Sequence, residues 1–370
     1  MPIEPDPPPT LLHVARAAGV AKSTASLAFS APQRVRADTR ERVLGAARAL
    51  GYAPNALARS LATGRNGLLA LVLSDMLNPH SGATQAAVQA RAYERGYLLI
   101  VGTSRADPAA ERELLERFAA LRVRGVVLVT SGTDASHARA LEAMRLELVS
   151  LDQRLAAGTA HVGLDNADAA ERLVEHLVGL GHRRVAHVAG RRGTWTAERR
   201  LDGVRAALAR AGLDFPERCL VEGEYDERLS RERCLALLGA PDPPTALVAA
   251  NNLCALGARQ AILDAGLRCP EDVSLAAIDD LPGGTLVVPR LTHVEQPLES
   301  MCAAAVDRLV DALEGEVRRD ATSVEMRGAL VEGGSTAAPP DGARRRVAIG
   351  ADPRGEPARR FVSRAGAARR

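Results

Sequence analysis

Aromatic side chains are scarce in this chain: one Trp, four Tyr and four Phe make up 2% of its 370 residues. Its cores must therefore be built from Ala, Val and Leu, and at 46% hydrophobic content there is enough apolar material for two or three domains. Lysine is scarcer still; Lys22 is the only one, so every other basic residue is an arginine. The five cysteines, Cys219, Cys234, Cys254, Cys269 and Cys302, never form a C-x-x-C pair. That spacing excludes the usual zinc motifs and a dense disulfide framework, so free thiols, no metal and no cofactor are expected. No stretch of ~18 apolar residues occurs, and Met1–Pro9 has neither a basic nor an apolar signal region. The expectation is a cytoplasmic protein that does not cross a membrane.

The net charge of +3 is unevenly spread. Residues 1–65 carry +5, residues 338–370 carry +6, and the stretch between them carries −8. A basic head on an acidic body suits an arm that meets phosphates while the body keeps clear of a polyanion.

Leu11–Ala18 and Lys22–Phe29 read as two short helices with Gly19-Val20 as the turn between them. Two helices joined in this way fit either a plain αα-hairpin or the helix-turn-helix, whose second helix enters the major groove of DNA. Ala15 and Ala25 are small enough for the helices to cross closely. Asp38–Leu50 repeats apolar residues at helical spacing and Gly51 stops it. Asn55–Ala62 could add a fourth helix, but eight residues do not hold a helix in water unaided, so it needs a partner.

From Leu68 onward, short apolar runs alternate with helical stretches. Leu68–Leu73, Tyr97–Val101, Gly125–Val129 and Leu146–Leu151 form one set, with helices around Ala83–Arg95 and Pro108–Arg122. Arg184–Ala189, Thr245–Ala250 and Val273–Ile278 form a second, with helices near Asn166–Leu180, Ala197–Ala211 and Leu253–Ala265. The alternation predicts α/β doubly wound parallel sheets in two Rossmann-like lobes with a ligand cleft between them. A dinucleotide enzyme would need G-x-G-x-x-G directly after a strand, and neither Gly102-Thr103-Ser104 nor Gly190-Arg191-Arg192-Gly193 fits. With no P-loop, nucleophile elbow or metal cluster either, no catalytic residue is assigned and the chain is not expected to be an enzyme. A solute-binding protein would account for the lobes but not for residues 11–63, and would need an export signal. A sugar-modifying enzyme would need catalytic groups that the sequence does not offer.

Five blocks, Val14-Ala15-x-x-Ala18-Gly19-Val20, Thr24-x-Ser26, Thr39-Arg40-Glu41-Arg42-Val43, Gly51-Tyr52-x-Pro54-Asn55 and Ala58-Arg59-Ser60-Leu61, resemble the LacI/GalR family of bacterial transcriptional regulators in order and spacing. The likeness continues over about the next 270 residues. It implies a helix-turn-helix domain at 10–53, a hinge helix at 54–64 and a two-lobed periplasmic-binding-protein-like domain at 65–337. The Arg, Pro, Ala and Gly content of 338–370 reads as a disordered basic tail, either attracted to phosphates or an inert extension. The chain would cross between lobes near Val162–Leu164, Arg290–His293 and Glu325–Val331. The implied function is that of a transcriptional repressor, a homodimer or a higher assembly on a pseudo-palindromic DNA operator. A small sugar-like effector between the lobes would change its operator affinity, in a direction the sequence leaves open.

By the same resemblance, Lys22, Ser23 and Leu27 face bases while Thr24 and Ser26 hold phosphates. Asn55, Arg59 and Leu61 of the hinge helix complete the DNA set, Leu61 as an apolar wedge between base steps. Leu61→Ala is expected to weaken operator binding by about 1–3 kcal/mol; unchanged affinity in a titration with operator fragments would remove the wedge role. The family's effector contacts fall on Ser74, Asn78, Ser131, Asp152, Thr196, Arg200, Tyr225, Asn251, Asp279 and Gln296. Asp, Asn and Arg at strand ends can exchange hydrogen bonds with several hydroxyls in fixed geometry. Several positions depart from the family. Leu27 replaces the usual guanine-reading Arg, Ala21 and Arg36 stand where capping Ser is usual, Asn78-Pro79-His80-Ser81 lacks the usual Phe pair, and Asn252 replaces an Asp. Trp195 is expected to supply the missing stacking surface, and the effector to differ from an ordinary hexose.

Overall fold

The structure, a computed structural model, describes residues 9–52, 67–132, 135–155, 158–281, 283–315 and 322–340. It divides into two compact units, Met1–Gly67 and Leu68–Arg370, each described by itself. The proposed hinge residues Asn55, Arg59 and Leu61, and the tail from residue 341, lie outside the described residues.

In the first unit, helices α1 (Leu11–Ala17), α2 (Lys22–Ser30) and α3 (Ala37–Ala49) pack on Val14, Ala15, Ala18, Ala25, Ala28, Val43 and Ala47. Alanine is what permits so close a three-helix core. The turn between α1 and α2 needs a left-handed residue, and Gly19 supplies it at φ 64. Arg42 of α3 clamps that turn by donating to the Ala18 carbonyl at 2.7 Å. Phe29 and Tyr52 meet with ring centroids 5.9 Å apart, joining the end of α2 to the residues after α3. Ala21 and Arg36 provide no side-chain cap, as their identities predict, and Asp38 lies in the first turn of α3. An absent cap costs a helix about 1 kcal/mol.

In the second unit, strands β1 (Leu68–Leu73), β2 (Leu98–Thr103), β3 (Gly125–Leu128), β4 (Glu147–Leu151) and β5 (Ala160–Leu164) belong to one lobe. Strands β6 (Val185–Ala189), β7 (Leu220–Glu222), β8 (Ala246–Ala249), β9 (Ser274–Ile278) and β10 (Thr292–Glu295) belong to the other. The chain then returns with β11 (Ser323–Met326) to the first sheet and β12 (Ala329–Val331) to the second. The sheet orders are β11-β5-β4-β3-β1-β2 and β12-β10-β9-β8-β6-β7. Each pairing is parallel except β10 with β12, which is antiparallel.

Helices α4 (Pro79–Glu94), α5 (Pro108–Ala120), α6 (Ala135–Ala143), α7 (Asn166–Gly179), α8 (Trp195–Arg210), α9 (Glu227–Leu238), α10 (Asn252–Asp264) and α11 (Leu298–Glu314) cover the sheet faces. The sequence expectation omits α6, α9 and α11, and the strands β5, β7, β10, β11 and β12. These strands are short, and β11 and β12 are only partly buried, so their apolar content is thin. The chain passes between lobes after β5 and between β11 and β12, near the expected places. The remaining passage is displaced: Arg290–His293 does not carry it, because Thr292–Glu295 is strand β10, with His293 and Val294 paired to both neighbours. The chain leaves the second lobe after Glu295, and α11 then buries Met301, Cys302, Val306 and Leu309 in the first lobe's core.

Two helix pairs touch through glycine. A Cβ at Gly203 of α8 would overlap the Ala167 carbonyl oxygen of α7, and one at Gly257 of α10 would overlap the Glu227 carbonyl oxygen of α9. Backbone cannot yield as a side-chain tip can, so Gly203→Ala is expected to cost about 1–3 kcal/mol. A melting curve of the full chain checks this; an unchanged midpoint would mean that the helices separate freely.

Candidate functional site

In both sheets the parallel strands point their C-terminal ends toward the gap between the lobes, the edge where open α/β sheets bind ligands. A cavity of about 610 Å³ opens there, and all ten residues expected to contact an effector line it. Ser74, Asn78, Ser131 and Asp152 come from the first lobe, following β1, opening α4 and following β3 and β4. Thr196 and Arg200 come from the first turns of α8, Tyr225 follows β7, and Asn251, Asp279 and Gln296 follow β8, β9 and β10.

The floor is a polar network. Arg200 is buried, donating from Nε to Asn166 Oδ1 at 2.7 Å and from Nη1 to the Ala250 carbonyl. Asp152 takes a left-handed backbone at φ 63, and its amide donates to Val162 O at 2.9 Å. Burial pushes its carboxyl above the ordinary carboxylate range, with Arg200 and then His80 opposing. Its Oδ1 has no hydrogen-bond partner among the described residues. Asp279 matches it in the other lobe: φ is 67, and the amide donates to Val294 O at 3.0 Å. Gln296 Nε2 donates to both Asp279 oxygens at 3.0 Å, leaving Gln296 Oε1 buried and without a partner. Left-handed aspartates sustained in both lobes are a local strain of the kind that gathers at ligand sites.

Other expected contacts are partly committed elsewhere. Asn78 and Asn251 cap their helices, accepting from the amides of His80 (3.0 Å) and Cys254 (2.9 Å). The Tyr225 hydroxyl and Thr196 Oγ1 are 2.7 Å apart, and the Tyr225 ring lies so close to Gly190 that no Cβ fits there. Burial raises the Tyr225 phenol, so it remains a hydrogen-bonding hydroxyl at neutral pH.

Trp195 does not line the cavity. Arg154 of the first lobe (5.1 Å) and Arg199 of the second (5.7 Å) both lie over its ring, so its π face is engaged by arginine outside the cavity. Close by, Gln153 Nε2 donates to Thr196 Oγ1 at 2.7 Å across the lobes. His80, in the place of an aromatic, faces Asp279 across the cleft at 3.7 Å.

The sequence reading missed one support of the site. Glu111 of α5 is fully buried, accepts from the Ser131 amide at 2.5 Å and the Thr130 hydroxyl at 2.8 Å, and meets His137 Nε2 at 2.7 Å. It holds the loop that carries Ser131 into the cavity. The one sequence signal was a charge on the apolar face of an amphipathic helix, between Pro108 and Leu115.

In the first unit, Ala25 and Ala28 turn α2 inward. Lys22, Ser23 and Ser26 are exposed, while Thr24 and Leu27 are half-buried. Lys22 and Ser26 lie one turn apart on the outward side, the spacing of a groove-facing helix surface.

The signature of bacterial regulatory proteins of the lacI family matches residues 10–55, and that of the periplasmic binding protein-like domain matches residues 174–336. The HTH-type transcriptional regulator PtxS of Pseudomonas plecoglossicida is 34% identical over 331 residues, covering 88% of this chain and 95% of that protein. A crystal structure of the Lac repressor dimer bound to operator and the anti-inducer ONPF is similar with a TM-score of 0.81 and 29% identity. That match covers 90% of this chain and all of the other. The complex of the transcriptional regulator CelR with cellobiose matches with a TM-score of 0.68 at 29% identity, over 88% and 99% of the two chains.

Proposed function

The chain belongs to the lacI family of bacterial regulatory proteins, and from that premise we propose that it is a cytoplasmic, homodimeric repressor and not an enzyme. It regulates transcription by binding operator DNA, and a small sugar-like effector controls the affinity. The observation that carries this reading is the convergence of all ten expected contact residues on one cavity, in a chain that also carries a helix-turn-helix.

In the reading, residues 10–53 bind DNA, 54–64 form the hinge, 65–337 bind effector and partner protomer, and 338–370 are a basic tail. Lys22, Ser23 and Leu27 read bases, Thr24 and Ser26 hold phosphates, and Asn55, Arg59 and Leu61 act from the hinge. Leu27 cannot make the bidentate guanine contact of an arginine and fits a thymine methyl instead. An effector that binds two states of the dimer unequally shifts operator affinity by that difference.

Selection of binding sites from random DNA by the full chain tests the reading. The expected result is one pseudo-palindromic site whose central bases depart from ordinary family operators. Enrichment of no sequence at moderate salt would overturn the reading, and enrichment of an ordinary operator would remove the role of Leu27.

A further inference from the structure

The unmet groups of the cavity separate by charge and by depth. At the floor, Asp152 Oδ1 and Gln296 Oε1 are buried acceptors without partners. Such atoms call for O–H or N–H donors, and no side chain of the described residues provides them. The other acids around the cavity are occupied. Asp279 receives Gln296 and faces His80, Asp75 accepts from the Leu77 amide at 2.8 Å, and Glu224 pairs with Arg233 at 3.8 Å.

The mouth carries the opposite chemistry. Arg105, after β2 in the first lobe, and Arg191, after β6 in the second, are both exposed and both line the cavity. Neither makes an ion pair among the described residues, although the next residue, Arg192, pairs with Glu217 and Glu222. Arg105 and Ala106 are both held in left-handed backbone, at φ 53 and 56, and the Ala106 amide is tied to Ser74 O at 2.7 Å. Tyr225 is the one aromatic residue lining the cavity among those described, and its ring is already against Gly190. Little aromatic face remains for stacking on a neutral sugar ring.

We propose that the effector is an anionic polyol. Its hydroxyls donate to Asp152 and Gln296 at the floor, and its carboxylate or phosphate monoester is held by Arg105 and Arg191 at the mouth. Guanidinium groups suit both anions because each presents a planar fork of N–H donors. Because the two arginines come from different lobes, a shared anion draws the lobes together, and the ligand charge itself becomes part of the switch. This rests on the reading that the cavity holds the effector.

The test titrates the full-length protein with D-gluconate, D-glucuronate, D-glucose 6-phosphate and D-ribose 5-phosphate beside D-glucose, D-ribose and sorbitol, reading Trp195 fluorescence and thermal shift. The expected result is at least one anion binding tenfold or more tighter than its neutral counterpart, with an affinity that falls as salt rises. The carboxylate and phosphate arms tell which anion is preferred. Arg105→Ala and Arg191→Ala should each weaken that anion at least tenfold and leave neutral sugars unchanged. Equal binding of neutral sugars, anion binding that survives both substitutions, or no binding across the panel would overturn the proposal. The same preparations enter the random-DNA selection, so a protein that selects an operator yet fails this panel retains its regulator reading and loses only the anionic effector.

Discussion

Arg200→Met is expected to remove about 3–5 kcal/mol of stability and to abolish the response to effector. The guanidinium is buried on the floor of the cavity, and its loss leaves Asn166 Oδ1 and the Ala250 carbonyl without donors. It also removes the cation that most offsets the burial of Asp152. A carboxyl whose folded pKa lies above its unfolded value costs stability once it ionises. That cost is absent below the ordinary carboxylate pKa of about 4 and grows as pH rises through the raised value. Without Arg200 the folded pKa of Asp152 climbs further and the cost enlarges. The deficit of R200M relative to the parent should therefore be largest at neutral pH and shrink on acidification. Urea denaturation of both proteins at several pH values measures it. A deficit independent of pH would show that Asp152 does not depend on the Arg200 charge.

Glu111→Ala is expected to cost about as much, roughly 3–5 kcal/mol, for a different reason. One fully buried carboxylate serves the Ser131 amide, the Thr130 hydroxyl and the His137 ring, and truncation removes a buried acceptor from all three, of which Thr130 keeps the Gly132 carbonyl. In a unit of this size that corresponds to a fall in melting temperature of roughly 10 °C. Glu111→Gln keeps the volume and one acceptor oxygen, so it should recover about half of the loss. Ser131 Oγ lies 2.6 Å from Ser104 Oγ, and the loop carrying it would relax, so effector affinity should fall in E111A as well. An E111A protein that melts with its parent would mean that Glu111 does not hold the loop.

Much of the site was legible because its residues occur in compact motifs at strand ends that resemble those of the family. Asp152 follows β4, Asp279 follows β9, and Asn251 opens α10, so each position is set by local chain geometry once the strand is recognised. The contacts between lobes were not legible. Gln153 meets Thr196 at a separation of 43 residues, and nothing in either neighbourhood names the other. Trp195 illustrates the same limit. Its place beside Thr196 suggested a wall of the cavity, whereas its ring lies against Arg154 and Arg199 and does not line the cavity.

By itself, the order of residues determined the helix-turn-helix, most of the alternating strands and helices, and the two-lobed plan. Each of these depends on apolar periodicity, turn residues and caps, all interactions over a few positions along the chain, whereas the set of residues at the cleft followed only from the resemblance to the family. Only the tertiary structure decided the order of strands in each sheet, the displaced passage after β10, the fully buried Glu111 and the orphaned oxygens of Asp152 and Gln296. Those depend on which distant surfaces exclude water from one another, and burial of that kind is a property of the packed chain and of no segment within it.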